Sequence, residues 1–161
     1  EAYTLAWGQS YGLPVLAFRF FNVFGPRQRA GHAYAAAIPT FIDAALRGKP
    51  LPLFGDGTQS RDFTFVESVC RVIRDAVERR VTCDVPVNLA FGSNISLNTV
   101  ISEIEKIVGH ELAVDRREPR TGDVPHSQAD NSRLRDLFPV VRPVDFEDGL
   151  SRTIDWFRST L

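Results

Sequence analysis

Val15-Leu16-Ala17-Phe18-Arg19-Phe20-Phe21-Asn22-Val23-Phe24-Gly25-Pro26 is the stretch that decides the fold. From Val15 to Phe24 it is apolar except at Arg19 and Asn22. Continuous apolarity, in place of the alternation of a strand with one wet face, predicts a strand covered on both sides, as in a parallel sheet between layers of helices. Gly25-Pro26 ends the run. An amide near the end of such a strand has to be satisfied by something. Ligands of open α/β sheets bind beyond the carboxyl ends of strands. Asn22 is therefore either a ligand contact or a tie for the loop that begins at Gly25.

The segments on either side repeat the α/β rhythm. Residues 1–11 read as a helix stopped by Gly12, and residues 27–34 as a polar loop. Pro39 suits the first turn of a helix running to Arg47. A strand is expected over 51–54, a hairpin-like turn at Gly55-Asp56-Gly57, and a strand over 62–66. Val66, Val69, Ile73, Ala76 and Val77 recur at helical spacing, which predicts a helix over 67–80. A strand over 85–90 precedes a helix capped by Ser96 and closed by Gly109. A short strand over 112–115 follows, then helices with Asn131 and Asp145 as N-caps. Strands alternating with helices argue α/β, and residues 1–161 read as one unit without repeat or linker. The chain opens as though inside a helix, with neither Met nor N-cap before Glu1, so a fragment of a longer fold is expected.

Composition excludes several classes. The chain has 161 residues, 43% of them apolar, with 19 basic and 20 acidic side chains and a net charge of −1. Mixed charge of this kind offers no field for nucleic acid or an anionic membrane surface. No apolar run reaches the roughly 20 residues of a membrane span. Two cysteines, Cys70 and Cys83, suggest a reduced, cytoplasmic protein and not a disulfide framework. His32, His110 and His126 stand apart without neighbouring ligands, so no metal site is expected.

Two cations are candidates for anion recognition. Arg61 follows the glycine turn, and Arg120 lies in the irregular Pro119-Arg120-Thr121-Gly122-Asp123-Val124. Two guanidinium forks from separate loops suit a diphosphate, and Asp123 could accept from vicinal hydroxyls such as those of a ribose. Surface arginines and a turn aspartate fit the same residues. Phe54 and Phe21 could stack on ring systems or belong to the core. Gly55-x-Gly57 lacks the third glycine of a dinucleotide fingerprint and no long helix follows it at once. No Gly-x-Ser-x-Gly elbow or triad pattern occurs.

In series these segments resemble the C-terminal, substrate-binding part of the extended short-chain dehydrogenase/reductases, the NAD-dependent nucleotide-sugar epimerases and dehydratases of the UDP-glucose 4-epimerase type. The resemblance is carried by Tyr11-Gly12-Leu13-Pro14-Val15, Arg19-x-x-Asn22-Val23-Phe24-Gly25-Pro26, Gly48-Lys49-Pro50-Leu51-Pro52-Leu53-Phe54-Gly55-Asp56-Gly57, Arg61-Asp62-Phe63-Thr64-Phe65-Val66, Asn88-Leu89-Ala90, Arg120-Thr121-Gly122-Asp123-Val124 and Ala129-Asp130. It implies the later part of a Rossmann-type NAD(P)-binding fold without its N-terminal dinucleotide-binding half. It also implies a nucleotide-diphosphate sugar as ligand and NAD as cofactor of the whole enzyme. By resemblance Asn22 contacts the diphosphate, Arg61 and Arg120 clamp it, Asp123 binds the ribose, and Leu53 and Phe54 line the base, partly through backbone. Phe21 would lie near the nicotinamide. The family's Tyr-x-x-x-Lys pair and glycine-rich turn fall before Glu1, so no catalytic residue is expected within 1–161, and the chain alone is expected to be inactive. A dehydratase, a reductase or a purely binding module remains the alternative. An apolar strand edge and a helix from a subunit-contacting bundle predict a homo-oligomer.

Overall fold

The structure, a computed structural model, describes residues 1–30 and 36–161. Part of the loop expected over 27–34, with His32 and Tyr34, lies outside the described residues. The run from Val15 to Phe24 is not one strand. It forms β1 (Phe18–Phe20) and β2 (Val23–Phe24), parted at Asn22, whose φ of 34° takes the chain out of the extended region. Asparagine tolerates such a backbone better than most residues because its short amide bonds locally. Asn22 Nδ2 donates to the carbonyl of Asp62 at 3.4 Å, and the Asn22 carbonyl accepts from the Thr64 amide at 3.3 Å. The break lets the halves choose different partners, β1 lying parallel to β6 (Val87–Leu89) and β2 parallel to β5 (Thr64–Phe65). Nor is β1 covered on both faces: Phe20 is 57% exposed, and Arg19 meets Glu1 at the surface at 2.6 Å.

This backbone gives a direct test. Asn22→Gly should leave thermal stability nearly unchanged, whereas Asn22→Ala should cost about 1 kcal/mol for the left-handed conformation. Denaturant unfolding of the two variants measures the difference, and equal stabilities would contradict the strain at this position.

The expected helices are present: α1 (Ala2–Tyr11), α2 (Ala37–Leu46), α3 (Val66–Glu78), α4 (Leu97–Val108), α5 (Ser132–Leu137) and α6 (Phe146–Thr160). Gly12 and Gly109 close α1 and α4 with φ of 62° and 83°. Ser96 Oγ accepts from the Thr99 amide at 3.1 Å, the N-cap bond its position predicts. Two other caps differ from expectation. Asn131 occupies the N-cap of α5, but its side chain is buried beside Gly92 and makes no cap bond. Asp130 takes that role, accepting from the Ser132 amide at 2.9 Å. Asp145 stands at the N-cap of α6 without a side-chain cap bond.

The remaining strands are short. β3 (Leu51–Phe54) lies parallel to β8 (Val114–Arg117), with Leu51 opposite Val114 and Phe54 opposite Arg117; β8 falls two residues later than expected. β4 (Ser60–Arg61) is held between β7 (Ile95–Ser96), antiparallel to it, and β9 (His126–Ser127), parallel to it. Gly55 and Gly57 do turn the chain, with φ of 78° and 83°, but the strands they join never pair. The hairpin-like reading is therefore corrected: β3 and β4 belong to separate sheets.

Two apolar clusters hold these pieces. In the larger, Ile38 and Ile42 of α2, Ile104 of α4, and Leu150 and Ile154 of α6 close over Leu51 and Leu53 of β3. In the smaller, Val72 of α3 and Leu134 and Phe138 at α5 enclose Val87 and Leu89 of β6. Each fully buried side chain of this size contributes about 1.5–3 kcal/mol. The larger cluster fixes the carboxyl ends of β3 and β8 side by side, and the site lies there. Among the described residues no helix is long and apolar enough to cross a membrane.

Candidate functional site

Beyond the end of β3 lies a cavity of about 380 Å³. Its wall gathers residues distant in sequence: Asn22 from the strand break, Thr40 from α2, Phe54 from β3, Gln59 and Arg61 from the segment after the glycine turn, Leu97 from α4, and Arg117, Arg120 and Asp123 from β8 and its following turn. Parallel pairing of β3 with β8 sets Phe54 against Arg117 at one sheet end. Pairing of β9 with β4 then carries the 118–125 loop back over Arg61. A wider cleft of about 540 Å³ continues past Phe54, Arg117 and Arg120.

The charges are unequal. Among the described residues, three arginines face the first cavity against one carboxylate, Asp123, although the chain as a whole is near neutral. Arg61 is held firmly, its side chain only 16% exposed. Its Nη1 donates to the Ser60 carbonyl at 2.8 Å and to the Pro125 carbonyl at 3.4 Å, and its Nη2 to Asp123 Oδ1 at 2.5 Å. Arg120 has no ion-pair partner among the described residues; its guanidinium lies 3.9 Å from the Phe54 ring centre. Arg117 stands 5.6 Å from the same ring and pairs with Asp115 at 2.7 Å. Low-dielectric walls and fixed guanidiniums of this kind suit a small, multiply charged anion.

Five of the sequence candidates, Asn22, Phe54, Arg61, Arg120 and Asp123, are thus brought to one cavity. Leu53 and Phe21 are not. The Leu53 side chain is fully buried in the larger core, so it can face the site only through its backbone. Phe21 is half-buried and does not line the cavity.

Sequence reasoning missed the residue that fixes this geometry. Asp62 is completely buried, and its carboxylate accepts from the amides of Gly92 at 3.0 Å, Ser93 at 3.1 Å and Ala129 at 3.2 Å, and from Ser93 Oγ at 3.1 Å. It ties two distant segments, 92–93 and 129, to its own, immediately beside Arg61. A signal was available: Ser60, Asp62 and Thr64 alternate as the inward side of one extended stretch. Gln59, also missed, donates to the Phe54 carbonyl at 2.6 Å and closes the glycine turn.

Comparison with known proteins decides the relationship. A sequence model described as the NAD dependent epimerase/dehydratase family matches residues 1–90. The chain belongs to this family. Among the family's curated members it is 32% identical over 153 residues to the UDP-N-acetyl-alpha-D-glucosaminuronate decarboxylase of Bacillus cytotoxicus, covering 91% of this chain and 47% of that protein. Among solved structures, the UDP-N-acetylglucosamine 4-epimerase of Methanobrevibacter ruminantium, in complex with UDP-N-acetylmuramic acid, matches with a TM-score of 0.92 at 37% identity, over 100% of this chain and 51% of that one. The UDP-glucuronic acid 4-epimerase of Bacillus cereus, in complex with UDP-glucuronic acid and NAD, gives a TM-score of 0.84 at 29% identity, over 97% of this chain and 49% of that one. The architecture is accordingly that of part of a Rossmann-type epimerase fold. The chain spans about half the length of the curated relatives it matches.

The family is NAD-dependent, but the glycine turn after β3 is not a seat for the pyrophosphate of that cofactor. Their one Gly-x-Gly, Gly55-Asp56-Gly57, is blocked: a Cβ on Gly57 would meet Asn98 Oδ1 at 2.1 Å, and Asn98 Nδ2 donates to the Asp56 carbonyl at 3.1 Å. A pyrophosphate cradle needs open backbone amides at a helix N-terminus, and this turn has its space filled by a side chain.

Proposed function

We propose that residues 1–161 form the nucleotide-sugar-binding part of an NAD-dependent epimerase of the UDP-glucose 4-epimerase type. The observation that carries this reading is the convergence of Arg61, Arg120, Asp123, Asn22 and Phe54 on a single cavity. In it, the two guanidiniums and the Asn22 amide hold the diphosphate, Asp123 accepts from the ribose, and Phe54 with the Leu53 backbone borders the base. An epimerase is preferred because several relatives bear that name. A 4,6-dehydratase or reductase would use the same binding residues. No Tyr-x-x-x-Lys pair occurs within 1–161, which favours binding without proton transfer for these residues by themselves. Free Cys70 and Cys83 fit a reduced, cytoplasmic setting.

Calorimetric titration of the chain with UDP, UDP-glucose, dTDP, GDP and NAD tests the reading. One nucleoside diphosphate should bind, NAD should not, and Arg120→Ala should weaken the binding at least about tenfold. Binding of none of the five would refute it.

Self-association belongs to the same reading. Tyr3, Trp7 and Tyr11 recur at four-residue spacing on α1 and are 86%, 57% and 66% exposed, an aromatic stripe suited to a second copy's helix. Sedimentation equilibrium should show a dimer or larger species that Trp7→Lys dissociates. A monomer at high concentration would rule it out.

A further inference from the structure

We propose that a separate cavity beside α5 is a binding site for a small organic acid, a carboxylate joined to a compact apolar body. The cavity has a volume of about 390 Å³ and shares no lining residue with the first. It lies between α5 and the segment 139–143 that leads toward α6. Its floor is apolar: Leu134 and Phe138 are buried, with Phe91 and Val141 half-buried around them. All four pack in the smaller core cluster, so core packing fixes the shape of the floor.

Two features distinguish this cavity from a gap in the packing. The first is Asn131, which lines it and is only 8% exposed. Asn131 stands at the N-cap of α5 without capping it, since Asp130 accepts from the Ser132 amide. Its side chain makes no hydrogen bond among the described residues, although an amide at this depth normally has a partner. The second is charge. Arg135 of α5 and Arg142 line the cavity, both exposed, and among the described residues neither has an ion-pair partner and no carboxylate lines the wall. The α3 arginines nearby, Arg71 and Arg79, are by contrast paired with Glu67 and Asp75. Arg142 is partly fixed, its Nη1 donating to the Pro139 carbonyl at 2.8 Å and its own carbonyl accepting from Arg71 at 3.3 Å. Two guanidiniums over an apolar floor match a ligand with one charged planar end and an uncharged body. The carboxylate takes a guanidinium fork, the body covers Leu134 and Phe138, and the Asn131 amide bonds a polar atom of the ligand.

The test is NMR titration of the isotope-labelled wild-type chain with phenylacetate, with its neutral amide phenylacetamide, and with inorganic phosphate. Phenylacetate should move the backbone amides of Gly92, Asn131, Phe138 and Val141 in a saturable way, with a Kd of roughly 1 mM or tighter. Phenylacetamide should bind about 5–10-fold more weakly, and phosphate should leave those amides in place. Arg135→Gln and Arg142→Gln, both at exposed positions, should each weaken phenylacetate about threefold or more without weakening phenylacetamide. Thermal melts of both variants should match wild type. UDP should not displace the acid. No saturable shift at about 10 mM phenylacetate, equal binding of acid and neutral amide, or displacement by UDP would overturn the proposal. Shifts from phosphate as large as those from the acid would overturn the ligand class, because the apolar floor would then contribute nothing.

Discussion

Asp62→Ala is expected to lower the melting temperature by roughly 6–12 °C. The wild-type carboxylate is completely buried and accepts four hydrogen bonds from Gly92, Ser93 and Ala129. Alanine leaves three backbone amides without an acceptor and opens space where the carboxyl group was. Losing a buried, charged hydrogen-bonding partner of this kind costs about 3 kcal/mol, and 1 kcal/mol moves the melting point of a domain this size by roughly 2–4 °C. Asp62→Asn keeps the shape but turns an NH₂ group toward donors, so it should recover only part of the loss. Differential scanning calorimetry of the three proteins decides it. An alanine variant melting within about 2 °C of wild type would mean that the 92–93 and 129 segments are held by something other than this carboxylate.

Arg61→Ala should reduce affinity for a nucleoside diphosphate by about 30–150-fold, the equivalent of 2–3 kcal/mol. The magnitude follows from position. Arg61 is the more buried of the two arginines proposed to clamp the diphosphate and is fixed by the Ser60 and Pro125 carbonyls and by Asp123, so little ordering remains to be done when a ligand arrives. Its removal takes away a pre-set cation and leaves Asp123 unpaired in the cavity. Arg61→Lys should fall between, since a point charge replaces a fork. Titration with UDP reads the result; a loss of less than threefold in the alanine variant would place the diphosphate elsewhere.

The helices were legible because their signals are local. Ser96 with Gly109, and Gly12 after Tyr11, mark ends that depend only on neighbouring residues. Part of the candidate grouping was legible: Arg61, Arg120, Asp123, Asn22 and Phe54 line one cavity, a grouping suggested by chemical type and by the family resemblance. What failed depended on long-range pairing. The run through Phe24 looks like one strand until β5 and β6 are seen to claim different halves of it. Leu53 and Phe54 are adjacent, and the period of a strand sends one into the core and the other to the cavity wall. The role of Asp62 requires Gly92 and Ala129 to be near it, which no short window of sequence contains. Asn131 lost the cap of α5 to Asp130 because its amide is buried against a glycine from a different segment.

The Asp62 junction also constrains the order in which the molecule assembles. Its bonds to Gly92 and Ala129 close loops of 30 and 67 residues. Chain-closure entropy grows only with the logarithm of length, so the longer loop costs about 0.7 kcal/mol more than the shorter. The same carboxylate therefore secures both at nearly equal expense. On a chain emerging residue by residue, β3 waits for β8, and Arg61 waits for the 118–125 loop and for Ala129 before its surroundings close. A chain halted before residue 118 would therefore carry Arg61 without Arg120 and Asp123, two of the residues that wall the cavity with it.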